Sequence, residues 1–167
     1  GFLLRDFLKS AAEEEFLRES GLFSWKDRED TRPQRSGDAS TAAQAKPAPA
    51  ALYSKFRNRV MFPICNDQGK VIAFTGRTLS TDDKAGPKYL NSPETPIYSK
   101  SRTLYGLNLT KQQIRQTGFA VLVEGYFDFA QLFQSQAAPA VASCGTALTP
   151  QQAQLLRRFT SKVVLSF

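Results

Sequence analysis

From residue 110 onward the chain repeats one alternation, and that alternation limits the fold more than any other feature. Residues 119–123, 140–143 and 163–167 are short apolar runs of strand length. A short helical stretch precedes the first run, and a second, from about 126 to 134, separates it from the next. A third helix opens at Thr149-Pro150-Gln151-Gln152, where Thr149 suits the N-cap, Pro150 the first helical position and Gln152 completes a T-x-x-Q capping box. Strands separated by helices with short connections predict parallel pairing, because a helical crossover returns each strand in the same direction. The expected class is α/β: an open parallel sheet flanked by helices, preceded by a part of α+β character.

That preceding part is more varied. Residues 3–19 read as a helix, with Leu3, Leu4, Phe7, Leu8, Phe16 and Leu17 among polar residues and Ser20-Gly21 as a stop. Residues 1–29 are taken as the helical end of an amino-terminal subdomain. Across 30–52 the composition turns to Pro, Ala, Ser, Gln and Arg with almost no large apolar residue, which predicts a flexible linker. Residues 59–64 and 70–77 are β-rich and flank Asn66-Asp67-Gln68-Gly69, so a hairpin is expected there. Pro63 places the first of these strands at an edge or a bulge. Residues 78–103, with Pro87, Pro93 and Pro96, read as loop. The organisation is thus a basic subdomain over 53–117 and the start of the open sheet over 118–167, with no internal repeat.

The charge is as uneven as the fold. The net charge is +7, and residues 53–117 account for it with 11 basic and 4 acidic side chains. A local excess of one sign favours a polyanionic partner, such as single-stranded nucleic acid, over an ordinary solvated face. No apolar run approaches the roughly 18 residues of a membrane span, and no leader is visible. There is no histidine, and the two cysteines, Cys65 and Cys144, form no CxxC, so no zinc site is expected within the chain. Two reduced thiols are expected, with a disulfide open on count alone.

Two segments carry chemistry. The run 86–95, Gly-Pro-Lys-Tyr-Leu-Asn-Ser-Pro-Glu-Thr, has no apolar stripe to bury. It sets Lys88, Tyr89, Asn91 and two hydroxyls between stiffening prolines, which suits a phosphorylated, base-bearing ligand. Glu124 falls where the first strand of the open sheet ends, and ligands of such sheets gather beyond the carboxyl ends of the strands. A carboxylate there suits Mg²⁺ beside substrate phosphates, while Gly125 lets a backbone approach closely. Asp128, one helical turn on, can face the same crevice. Taken alone, Glu124 also reads as a favourable charge at a helix N-terminus.

The same residues resemble the bacterial DnaG-type primases. Residues 86–95 resemble that family's GPKYLNSPET segment, and residues 121–128 its VVEGYMD motif. Residues 55–64 are similar to its FRxRIMFPI, 71–77 to its VIGFGGR, 101–107 to a run ending LYGL, and 142–149 to ATLGTALT. The match is ordered and nearly continuous over 55–167. It implies the RNA polymerase domain of a primase, with 118–167 as the first part of a Toprim subdomain, and primer synthesis from ribonucleoside triphosphates on single-stranded DNA.

By this resemblance Glu124 and Asp128 are catalytic, with Glu124 binding Mg²⁺ (or Mn²⁺). Lys88, Tyr89, Asn91 and Gly125 contact the nucleotide. Arg57, Arg59, Arg77 and Lys100 hold template and RNA primer, although Arg59 and Arg77 could equally neutralise carboxylates. Phe127, Phe129, Leu132 and Phe133 are expected in the core. The family's Asp-x-Asp cluster would follow the strand 163–167, so the chain is expected to be an excerpt, inactive alone. A zinc-binding domain, a domain docking the replicative helicase and a cytoplasmic, replisome-associated location are implied for the intact protein. Another Toprim enzyme, a nuclease or topoisomerase, and a non-catalytic nucleic-acid-binding module remain alternatives.

Overall fold

The structure, a computed structural model, describes residues 13–26, 51–81, 86–143, 145 and 147–167. It divides into two compact units, Gly1–Arg57 and Asn58–Phe167. The expected helix over 3–12 and the expected linker over 30–50 lie outside the described residues.

In the first unit, α1 (Glu14–Glu19) stops at Ser20, and Gly21 takes a left-handed φ of 68° to turn the chain. Strand β1 (Phe23–Lys26) then pairs antiparallel with β2 (Ala51–Ser54), Phe23 opposite Ser54. Leu17 and Phe23 are buried. Neither strand was anticipated: Phe23–Lys26 falls in the segment read as helical, and Ala51–Ser54 begins in the segment read as linker. Four residues are too few for a period-2 pattern to show without a partner.

The second unit holds two sheets. In the first, β3 (Arg59–Cys65), β4 (Val71–Thr78) and β5 (Tyr89–Asn91) pair antiparallel in the order β3-β4-β5. The expected hairpin forms because Asn66 Oδ1 accepts from the amides of Gln68 and Lys70, and Gly69 supplies the positive φ. Pro63 sits on the edge strand, where its missing N–H costs no ladder bond. Strand β5 corrects the loop expected over 78–103: Tyr89 lies opposite Arg77 and Asn91 opposite Thr75.

The second sheet is parallel, as the alternation predicts. Helix α2 (Leu107–Thr117) leads into β6 (Ala120–Val123), α3 (Tyr126–Ser135) into β7 (Ala140–Ala142), and α4 (Pro150–Arg157) into β8 (Val163–Ser166). The order is β7-β6-β8, with β6 central. Leu104, Leu107, Ile114, Ala120, Leu122, Val141 and Leu156 form the core between sheet and helices, each large aliphatic contributing about 1.5–3 kcal/mol on burial. The capping box of α4 is present: Thr149 Oγ1 accepts from the Gln152 amide, and Gln152 Oε1 accepts from the Thr149 amide. Gln152 is fully buried yet satisfied, since its Nε2 also donates to the carbonyls of Lys100 and Thr103. No helix among the described residues is long and apolar enough to cross a membrane.

Tyr105 joins the parallel sheet by an antiparallel bridge to Ala142, and the next residue must then turn into α2. Gly106 does so at φ 80°, and a Cβ there would lie 2.0 Å from the Phe129 ring. Gly106→Ala combines a left-handed backbone with a steric overlap, so a loss of about 3 kcal/mol is expected. Urea unfolding followed by circular dichroism measures it.

Candidate functional site

The central strand β6 is buried through Val123, and the chain becomes polar at the next residue. Glu124 therefore emerges, exposed, at the carboxyl end of the sheet. It borders an open crevice of about 420 Å³ that Ser143, Gly145 and Leu165 also line. Gly125 N-caps α3 in an extended conformation, and its amide donates to Asp128 Oδ2 at 3.1 Å. Asp128 thus serves the helix N-terminus, as an acidic residue in a first turn does.

The polar run begins with a clamp. Arg59 Nη1 donates to the Gly76 carbonyl at 3.0 Å and to the Pro87 carbonyl at 2.8 Å, fixing the approach to β5. Lys88 is exposed, and its carbonyl accepts from the Thr78 amide. Tyr89 and Asn91 are half-buried on the sheet face that meets α3. There the Tyr89 and Tyr126 rings stack at 6.1 Å, and the Tyr126 hydroxyl donates to Asn91 Oδ1 at 3.2 Å. Ser92, behind them, is buried and accepts at Oγ from the Phe74 amide.

Arg77 is half-buried with its guanidinium 4.5 Å from the Phe127 ring centre and 5.9 Å from that of Tyr89, a cation–π arrangement. Phe127 is 38 % exposed and Phe133 44 %, which corrects their assignment to the core. At 3.6 residues per turn the buried stripe of α3 passes through Tyr126, Phe129 and Leu132, leaving 127 and 133 on its flanks. Lys100 opens a short 3₁₀ turn, Lys100–Arg102; its amide donates to Glu94 Oε1 at 2.8 Å. Arg57 belongs to the first unit, where its guanidinium lies 5.5 Å from the Tyr53 ring centre. Cys65 is a free cysteine, and Cys144 lies outside the described residues.

The structure thus brings Tyr89, Asn91 and Arg77 against α3 beside Glu124-Gly125. Lys100 is held through its backbone, its amide by Glu94 and its carbonyl by Gln152. Tyr126 escaped the sequence reading, since nothing in a helix-opening tyrosine tells where its hydroxyl will go. Its one signal is its position directly after Glu124-Gly125.

A basic antiparallel sheet followed by an open parallel sheet with a strand-end carboxylate is the architecture of a primase-type catalytic core. Residues 24–111 match the DNA primase catalytic core, N-terminal domain, and residues 118–167 match the Toprim domain. The chain is 52 % identical over 118 residues to the DNA primase of Clostridium acetobutylicum, covering 70 % of this chain and 19 % of that protein. The crystal structure of the Aquifex aeolicus primase, zinc binding and RNA polymerase domains, superposes with a TM-score of 0.77 at 34 % identity, over 99 % of this chain and 35 % of that one. The structure of the DnaG primase catalytic domain bound to ssDNA gives 0.72 at 38 % identity, over 95 % and 43 %. The chain belongs to the DNA primase catalytic-core family. It spans about a fifth of the length of the curated relatives it matches.

The Toprim match points to a divalent-metal site. Among the described residues no three His, Cys, Asp or Glu cluster to hold an ion by themselves. Glu124 fits the role of one protein ligand in a site completed by substrate oxygens, because Mg²⁺ takes one or two carboxylates and keeps water and phosphate in its remaining positions.

Removing the clamp tests the loop's dependence on it. In Arg59→Ala the amides of residues 89–91 are expected to exchange about tenfold faster, the loss of a charge-assisted hydrogen bond. Those of residues 120–123 are expected to keep their protection, as read by hydrogen exchange.

Proposed function

We propose that this chain forms the nucleotide- and template-facing part of a primase that makes RNA primers on single-stranded DNA. The observation that carries the proposal is the convergence at the strand ends. The family's polar run meets the start of α3, beside Glu124, through the Tyr126–Asn91 hydrogen bond and the Tyr89–Tyr126 stack. In the reaction a 3′-hydroxyl attacks the α-phosphate of a ribonucleoside triphosphate, a new P–O bond forms, and pyrophosphate leaves.

Glu124 would hold Mg²⁺ or Mn²⁺, which when bound lowers the pKa of the attacking hydroxyl and offsets charge on the phosphate. Lys88, exposed at the end of its clamp, is suited to the triphosphate as a point charge. Asn91 and Tyr89 position the nucleotide, and Gly125 admits it close to the backbone. Asp128 supports the site by holding Gly125 and the start of α3 in place.

Arg77, Arg59, Lys100 and Arg57 would meet the phosphates of template and primer. The basic excess of residues 53–117 supports this, and so does the ssDNA bound to the DnaG catalytic domain that this chain resembles. Arg77 has its guanidinium braced on Phe127 and Tyr89, which lowers the entropy lost on binding a phosphate.

Two experiments on the full-length protein test the proposal. Glu124→Gln is expected to lower Mg²⁺-dependent, template-directed ribonucleotide incorporation by about a hundredfold or more, the scale of lost transition-state charge stabilisation. Wild-type activity in that variant rejects the metal role. In the second, affinity for a single-stranded oligonucleotide is titrated against salt. Arg77→Ala is expected to flatten the log–log slope by about 0.7, one phosphate contact on a single strand.

A further inference from the structure

Tyr126 follows Glu124 and Gly125 at an open crevice, yet it is only 5 % exposed. Its ring is held on several sides, stacked with Phe62 and Tyr89 at 6.1 Å each and met edge-on by Tyr105 at 4.8 Å. Packing on this scale leaves the ring one orientation and so fixes where its hydroxyl points. That hydroxyl donates to Asn91 Oδ1. A side-chain amide is planar, so engaging the oxygen also directs the NH₂ group. Asn91 Nδ2 lies toward Gly145: a Cβ built on that glycine would be 3.9 Å from it. Gly145 lines the crevice with Glu124.

We infer that Tyr126 is a positioning residue, holding the Asn91 amide so that its NH₂ donates into the crevice to an oxygen of the incoming nucleotide. The inference rests on the primase reading above and adds a residue to it. Without the phenolic hydroxyl, the Asn91 amide rotates about its terminal torsion, which is broad and roughly two-fold. Half of its orientations then present an oxygen to the nucleotide's own oxygens. Tyr126 touches no reacting atom; its effect passes entirely through Asn91.

A tyrosine that merely joined α3 to β5 would affect stability and leave nucleotide affinity alone, so affinity decides the matter. In the full-length protein, Tyr126→Phe keeps the ring and its stacking. It is expected to raise KM for ribonucleoside triphosphates about three- to tenfold, the worth of one oriented hydrogen bond. The change in kcat is expected to stay within about twofold and Tm within a degree or two. Asn91→Ala is expected to raise KM at least as much. The double variant is expected to be no worse than Asn91→Ala alone, because the two residues act as one unit.

An unchanged KM in Tyr126→Phe overturns the inference, and so does an effect that adds in full to that of Asn91→Ala. Calorimetric titration with ATP and Mg²⁺ reads the same interaction without turnover. Equal Kd for wild type and Tyr126→Phe, or no ATP binding by wild type, also overturns it. Absence of primer synthesis alongside a Kd that weakens in Tyr126→Phe would instead reject the primase reading and leave the inference standing.

Discussion

The burial of β6 is the constraint on which the rest of the second unit depends. Ala120 and Leu122 are fully buried, and the strand is hydrogen-bonded to β7 on one side and β8 on the other. A strand with both edges paired and its apolar side chains covered admits no ionised group without a large cost. The first charged residue after it is therefore expelled at the carboxyl end, which is where Glu124 stands. Parallel pairing puts the ends of β7 and β8 at the same edge, so Ser143 and Leu165 flank that carboxylate in one crevice. The position of the candidate metal ligand is a consequence of core packing.

The antiparallel sheet meets this edge through aromatic contacts. Tyr89, Phe62 and Tyr105 surround Tyr126, and Phe127 lies against Phe62 and Tyr89. These rings do two things at once. They bury area where β5 crosses α3, and they hold polar groups still: the Tyr126 hydroxyl toward Asn91, the Arg77 guanidinium over Phe127. Arg59 performs the matching service from the backbone side, bonding carbonyls of β4 and of the run before β5. A polar segment with little apolar content of its own is thereby ordered by its neighbours.

Much of the fold was legible because it is written in short-range chemistry. The Asn66-to-Gly69 turn, the edge position of Pro63 and the capping box at Thr149 each involve residues within a few positions of one another, and each appears as the residue types require. Elements that draw their stability from distant partners were not legible. Strand β5 is three residues long and exists because β4 offers it a ladder and Ser92 bonds the Phe74 amide. Strands β1 and β2 are four residues each and depend on each other across a long separation in sequence. Phe127 and Phe133 look like core by composition, and only the rotation of α3 against the sheet leaves them half-exposed.

The sequence by itself determined the alternation of strands and helices, the concentration of positive charge in residues 53–117, and the family, because periodicity, charge and ordered motifs are properties of a linear string. Tertiary structure decided which of the candidate residues meet. It set Asn91 against Tyr126, Arg77 against Phe127 and Asp128 against the Gly125 amide, and it gave Arg59 to backbone carbonyls 17 and 28 residues away. Such pairings follow from how two sheets and a helix pack, and a side chain's hydrogen-bonding capacity does not specify its partner until that packing brings one within about 3 Å.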